Sequence, residues 1–521
     1  MATQWQSFPV QFGGGLISNL SPLQHGLSNI GSAATLENFE PSLDGGYKKV
    51  LGYTKFISSA LSGSGNVQGV AIVPESGATK VIAIRNGVYY LANSSAGSPS
   101  WSTLATASST NMVKIRQTSY NFTGTTKMVF VDSLNYPAYY DVSGGSLSFL
   151  SGGGTGNSAV QAATYVSLYK NTLFFSKNNE LIFTAPYTDT DFNVANGAGT
   201  ISVSSEIVGT AVYRESLIIF CSDKIVRLTG SSSANFELSP ITEDLGCTDA
   251  DSIREVGGDV MFLAPDGIRT ISSTERIGDF GIDVASKPIR PTLNKQLESS
   301  VHITSLVLRE KAQYRLFHFD TTKRVDVSRG LLATKFIDQG GQGFQWAELK
   351  GYKVFVCDSN VVDGVEYAYF ANEDGYVYRL ESGNDRDGSN ISSIYESADM
   401  PINDPQVRKT FYKLDLYIKP EGVMNLDVSV KLDAAKGNTI QPATFSVAAA
   451  GGEGAVFGAP TSVYNASGGT TYSDIVFSDA TFQNNIVGSG TTMALRIADD
   501  STDPSFNLDT AVLEYSTDDR Q

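Results

Sequence analysis

One recurring pattern restricts the fold of this chain more than any other feature. An apolar strand, a short polar turn and a second strand rich in Tyr, Ile and Val follow one another again and again. The first instance is residues 80–84, then Arg85-Asn86-Gly87, then residues 88–91. Others pair residues 127–131 with 136–142, 173–175 with 181–183, 217–220 with 225–228, and 260–263 with 268–271. The last two run from 314–319 toward Val325 and from 367–370 into 376–380. Asn-Gly and Asp-Gly turns favour two-residue hairpins, because Gly takes a positive φ without steric cost. The turns fall near positions 86, 135, 179, 223, 266, 321 and 374, so the gaps are 49, 44, 44, 43, 55 and 53 residues. One four-stranded propeller blade takes ~40–50 residues. The spacing therefore predicts an all-β chain built on a β-propeller of about seven blades, over residues 67–399.

The flanks lack that period. Residues 1–66, with Gly13-Gly14-Gly15 and Pro41, read as an extended arm ending in a turn-rich clasp. Period-2 alternation returns at 411–418 and 426–430, with further strands near 473–477 and 493–497. That predicts a separate C-terminal β-sandwich over 400–521. The one helical candidate is 284–297, and the Gly-rich stretches 151–158 and 451–458 read as mobile tips.

Charge and composition narrow the function classes. With 41% hydrophobic and 18% charged residues the chain is globular. Its 38 basic and 54 acidic residues leave a net charge of −16. Wrapping nucleic acid needs Lys and Arg to displace counterions, so that role is excluded, whereas an acidic wall can let a duplex pass without sticking. Cys221, Cys247 and Cys357 are too widely spaced for a CxxC metal site or a disulfide framework. The opening residues show no signal-peptide pattern, and no apolar run is long enough to span a bilayer. Synthesis in a cytoplasm without a membrane partner is expected.

Catalytic motifs are not apparent. There is no GxSxG, HExxH, Walker A or GxGxxG, and residues 152–156 lack the Lys a phosphate loop requires. The three histidines, His25, His302 and His318, are scattered, with His318 between two Phe in a strand. Asp249 with Asp251, and Glu243 with Asp244, are carboxylate pairs of the kind a glycosidase uses. Among 54 acidic residues such pairs arise by chance. Residues 385–390 resemble the front half of a Ca²⁺ loop, but Glu396 is offset from the bidentate position, so a solvated linker is expected there. Lys48-Lys49 and Arg408-Lys409 read as solvated strand ends. No catalytic, cofactor-binding or metal residue is assigned, and the chain is expected not to be an enzyme.

Residues 36–56 carry a resemblance. Asn38, Phe39, Pro41, Gly45, Gly46, Tyr47 and Lys48 form one clasp pattern, and Gly52, Tyr53, Lys55 and Phe56 follow it. The segment resembles the N-terminal signature of the tail hub or nozzle proteins of short-tailed phages, known as tail tubular protein B or packaged-DNA stabilisation protein. Weaker similarity lies within 208–271 and at 404–411. The resemblance implies a structural virion protein of the tail, assembled as a homohexameric ring between head and tail. Such a ring continues the DNA channel below the portal and adaptor proteins, retains packaged double-stranded DNA and lets it exit during ejection. Tail fibre or needle proteins would be further partners. No functional residue carries over, and no cofactor is implied. The competing expectation is a receptor- or glycan-binding propeller at a tail tip or cell surface. A propeller hydrolase, with carboxylates at the central funnel, is the third.

Overall fold

The computed structural model describes residues 5–77, 79–93, 99–276, 284–298, 302–319, 328–338, 341–435, 437–449 and 480–517. Strand dominates it, and the sheets follow the repeat. Four-stranded antiparallel sheets begin at Val67–Val73, Arg116–Tyr120, Tyr165–Tyr169 and Ile207–Tyr213. A three-stranded sheet follows from Arg254–Val256; His302–Leu308 then opens a larger sheet that runs on into the C-terminal region, and Val356–Val362 opens a further four-stranded sheet. From Arg116–Tyr120 round to Val67–Val73 the first strands of neighbouring sheets pack side by side, and the sheets of Val67–Val73 and Arg116–Tyr120 share one apolar cluster, so the sheets close into a ring. This is a β-propeller, as the spacing predicted.

Six of the seven expected hairpins supply the second and third strands of one sheet; the turn expected near 321 and Val325 lie outside the described residues, and Gln313–Phe319 pairs with Arg329–Asp338. Lys80–Arg85 pairs with Val88–Asn93 so that Arg85 faces Val88 across Asn86 and Gly87. Both turn residues have positive φ, 49° and 73°, the geometry a tight hairpin of this hand demands. The middle strands are apolar on consecutive residues because both of their faces are buried. Phe175 packs back toward Val129 and Val131 of the preceding sheet, whereas Phe174 packs forward toward Leu217 and Ile219 of the next.

The ring is closed by the N-terminal region. Tyr53–Lys55 pairs with Val377–Leu380 as the outermost strand of the last sheet, Thr54 facing Arg379. Residues 5–66 thus do not stand apart as an arm. Gln6–Gln11 and Tyr47–Lys49 pair with Phe506–Thr517, and Ala33–Glu37 pairs with Ile391–Ser397. These strands are too short or too irregular in polarity to show a period, and tertiary pairing creates them. The C-terminal region is two packed sheets. One contains Lys409–Pro420, Ala480–Gly490 and Phe506–Thr517, the other Ile391–Ser397, Met493–Ser501, Met424–Leu432 and Phe445–Ala449. Its first strand therefore starts upstream of the expected boundary at 400. Ala33–Glu37 also meets Gly341–Lys350 in parallel, at Glu37 and Glu348, joining a propeller sheet to the sandwich.

The helical candidate at 284–297 holds a short 3₁₀ turn, Lys287–Ile289, and the helix Arg290–Leu297. Two other helices were not anticipated, Pro22–Ser28 and Ile271–Arg276, and the second begins at Ile271 where a strand was expected to end. The tip at 151–158 is a series of turns in which Asn157 donates to the Ser151 carbonyl at 2.6 Å. The expected tip at 451–458 and strand at 473–477 lie outside the described residues.

Candidate functional site: the clasp and the propeller axis

The clasp is where the chain's parts are joined. Asn38 sits at φ 53°, a left-handed conformation that Asn tolerates better than most residues. Its side chain donates to the Ser392 carbonyl at 2.6 Å and accepts from the Lys350 amide at 2.9 Å. Phe39 is buried edge-on against Phe506. Gly46 cannot be replaced without strain, because its φ is 75° and a Cβ would lie 2.2 Å from the Leu508 carbonyl oxygen. The Tyr47 hydroxyl accepts from the Gly15 amide at 3.0 Å and donates to the Gly31 carbonyl at 3.2 Å, and burial raises its pKa far above the ordinary phenol value. Tyr53 packs on Tyr352, Phe370 and Tyr378, and Phe56 on Tyr369 and Trp101.

Glu40, which the sequence motifs did not single out, organises a buried ion network. Its carboxylate meets Lys311 at 2.7 Å and Arg315 at 3.1 Å, and accepts from Gln313 at 3.1 Å. Glu381 meets the same two cations at 2.5 and 2.7 Å. The Arg315 side chain has no exposure at all, so both carboxylates are needed to offset its lost hydration. Glu381 is held below the usual carboxylate range against burial, by Arg315 first and then Lys311.

Lys49 and Lys409 correct the expectation of solvated strand ends, whereas Lys48 and Arg408 keep solvent access. Lys48 is partly exposed and pairs with Glu421 at 2.6 Å. Lys49 is buried, meets the equally buried Asp499 at 2.5 Å, and donates to the Ser501 and Asp503 carbonyls. Lys409 is buried as well, donating to the carbonyls of Pro401, Asp404 and Thr491, and burial lowers its pKa. The linker at 385–390 is also committed: Asp387 pairs with Lys55 at 2.7 Å and the Asp385 carboxylate accepts from the Gly388 amide at 2.9 Å. Among the described residues no cluster of His, Cys, Asp and Glu suited to a metal ion is found.

On the propeller axis the first strands of the sheets enclose a cavity of about 270 Å³. Lys114, Arg116, Gln117, Tyr165, Asp251, Arg254, Cys357 and Asp358 line it. Asp251 receives Lys114 at 3.0 Å and Arg116 through two bonds of 2.8 and 3.1 Å. Burial works against its carboxylate, but the two cations overcome it and hold the pKa well below the usual range. Asp249 faces a different task, capping the 3₁₀ turn Ala250–Ser252 by accepting from the Asp251 amide at 2.8 Å. The Asp249–Asp251 pair is thus divided between a cap and an ion cluster, and Glu243 and Asp244 lie exposed elsewhere. His302 lies edge-on against Phe355, His25 bonds Ser32 Oγ at 2.6 Å, and His318 is buried in its strand.

Asp358 has the opposite electrostatic character. It accepts from the Ile72 amide at 2.8 Å and Gln117 at 3.0 Å, yet burial pushes its pKa up to about 6. A carboxyl whose folded pKa exceeds its unfolded value of 3.8 favours the folded state while protonated, and that contribution fades as pH rises through about 6. Asp358→Asn should therefore gain stability relative to the parent between about pH 4 and pH 6, with little change in the difference outside that window. Urea denaturation across pH 3.5–7 checks this; a constant difference would show that Asp358 does not titrate there.

No known protein family matches the chain, and no curated protein does. Solved structures show distant likeness. PorZ, an essential bacterial surface component of the type-IX secretion system of Porphyromonas gingivalis, aligns with 63% of this chain at 14% identity and a TM-score of 0.37. The extracellular domain of the putative one-component system BT4673 from B. thetaiotaomicron aligns with 70% at 10% identity and 0.38. The match spans only 38% of the PorZ chain and 43% of the BT4673 chain. The Pan2 WD40 domain of Neurospora crassa, covered over 96% of its length, aligns with 64% of this chain at 8% identity and 0.35.

Proposed function

We propose that this protein is a structural subunit of a short-tailed phage tail, forming a nozzle or hub ring that continues the DNA channel. The observation that carries the reading is the clasp. The residues that resemble the nozzle signature, Asn38, Phe39, Tyr47, Tyr53 and Phe56, are also those that tie the N-terminal region to both the propeller and the sandwich. Residues that give mechanical continuity suit a subunit that carries strain within a ring. The bridged propeller axis is consistent with this. With Lys114, Arg116 and Asp251 bonded across it, a duplex has no route through the propeller itself and would run between subunits. A net charge of −16 suits a lumen that guides DNA without retaining it by contact.

The test is assembly and location. Negative-stain imaging of the purified protein with and without the tail adaptor, together with antibody labelling of virions, is expected to show a six-fold ring or label at the tail vertex. A protein that stays monomeric with the adaptor and is missing from virions would overturn the reading and favour a receptor-binding propeller.

A further inference from the structure

The cations on the propeller axis outnumber the carboxylates bonded to them. Lys114 and Arg116 share the single carboxylate of Asp251. Arg254 has no carboxylate within ion-pair distance among the described residues. Its Nε donates to the Ser305 carbonyl and its Nη1 to the Ile253 carbonyl, each at 2.9 Å. Both of its hydrogen bonds go to neutral acceptors, while Asp251 and Asp358 act on the guanidinium electrostatically without bonding to it. In a protein of net charge −16, such a site is an electrostatic exception.

Asp358, a second aspartate lining the cavity, turns to the Ile72 amide and Gln117 and makes no bond to Arg254. Tyr165 also lines the cavity, with the Arg116 guanidinium 5.9 Å from its ring centroid. The cavity reaches solvent at Glu255 and Arg309, both exposed. About 270 Å³ accommodates a tetrahedral or planar oxyanion with its water, but not a nucleic-acid strand. We propose that this axial cavity is a binding site for a small oxyanion, held by the Arg254 guanidinium with support from Lys114 and Arg116. The guanidinium suits this role because its planar donors match two oxygens at once. The inference does not depend on the tail-ring reading.

Calorimetric titration of the full chain at pH 7 and fixed ionic strength tests it, with sodium sulfate as one probe and sodium acetate as the other, each against sodium chloride. Saturable one-site binding of either oxyanion, above the chloride control, is expected; sulfate alone would mark the site as tetrahedral, acetate alone as a carboxylate site. Arg254→Gln keeps a donor for one carbonyl and should weaken binding by about tenfold or more. Asp358→Asn removes the opposing charge and should tighten binding several-fold, a change that loss of structure would not produce. No saturable heat with either probe, or unchanged affinity in both variants, would overturn the proposal.

Discussion

Arg315→Met is expected to destabilise the protein by about 3–5 kcal/mol, among the largest effects a single substitution can have here. The guanidinium is wholly buried and stands between Glu40 of the clasp and Glu381 at the end of the last propeller sheet. Removing it leaves two carboxylates sharing Lys311 alone, at 2.7 and 2.5 Å. Buried like charges left with half their compensation are costly, and Met fills the volume without restoring it. Urea denaturation followed by tryptophan fluorescence would register the loss. A change under about 1 kcal/mol would mean that water reaches the network and screens it. Because Glu40 anchors the segment that closes the ring through Tyr53–Lys55, amide exchange should accelerate in that strand and in Val377–Leu380.

Lys49→Met should cost a comparable amount, about 3–5 kcal/mol, for a related reason. It would strand Asp499, which is as buried as the lysine, with only the Ser501 hydroxyl among the described side chains donating to it, at 2.8 Å. The carbonyls of Ser501 and Asp503 would lose a donor at the same time. The double variant Lys49→Met with Asp499→Leu separates the two contributions. Removing both charges should recover most of the loss, since a buried pair replaced by apolar groups is often neutral. If the double variant remains as unstable as the single one, the carbonyl bonds and not the stranded carboxylate set the cost.

The hairpins were legible from the residues because each strand pair is local. Pairs such as Lys80–Arg85 with Val88–Asn93 need only a turn whose chemistry lies between them, and middle strands buried on both faces announce themselves as apolar runs. The first and last strands of each sheet were less visible, Glu237–Thr242 for instance being largely exposed and mixed in polarity. Short strands of the N-terminal region left no period, so the region read as an arm. Lys49 and Lys409 read as solvated because a lysine's sequence neighbours do not reveal the carboxylate or carbonyls that bury it.

The amino-acid sequence alone determined the all-β class, the propeller period and the positions of the central hairpins, because these depend on side-chain alternation and turn residues a few positions apart. Only the tertiary structure decided which strand closes the ring, that Glu40 meets residues 311, 315 and 381, and that Lys114, Arg116, Asp251 and Arg254 converge on one axis. Those contacts join residues tens to hundreds of positions apart. Their energy depends on burial and on distances that no local pattern encodes.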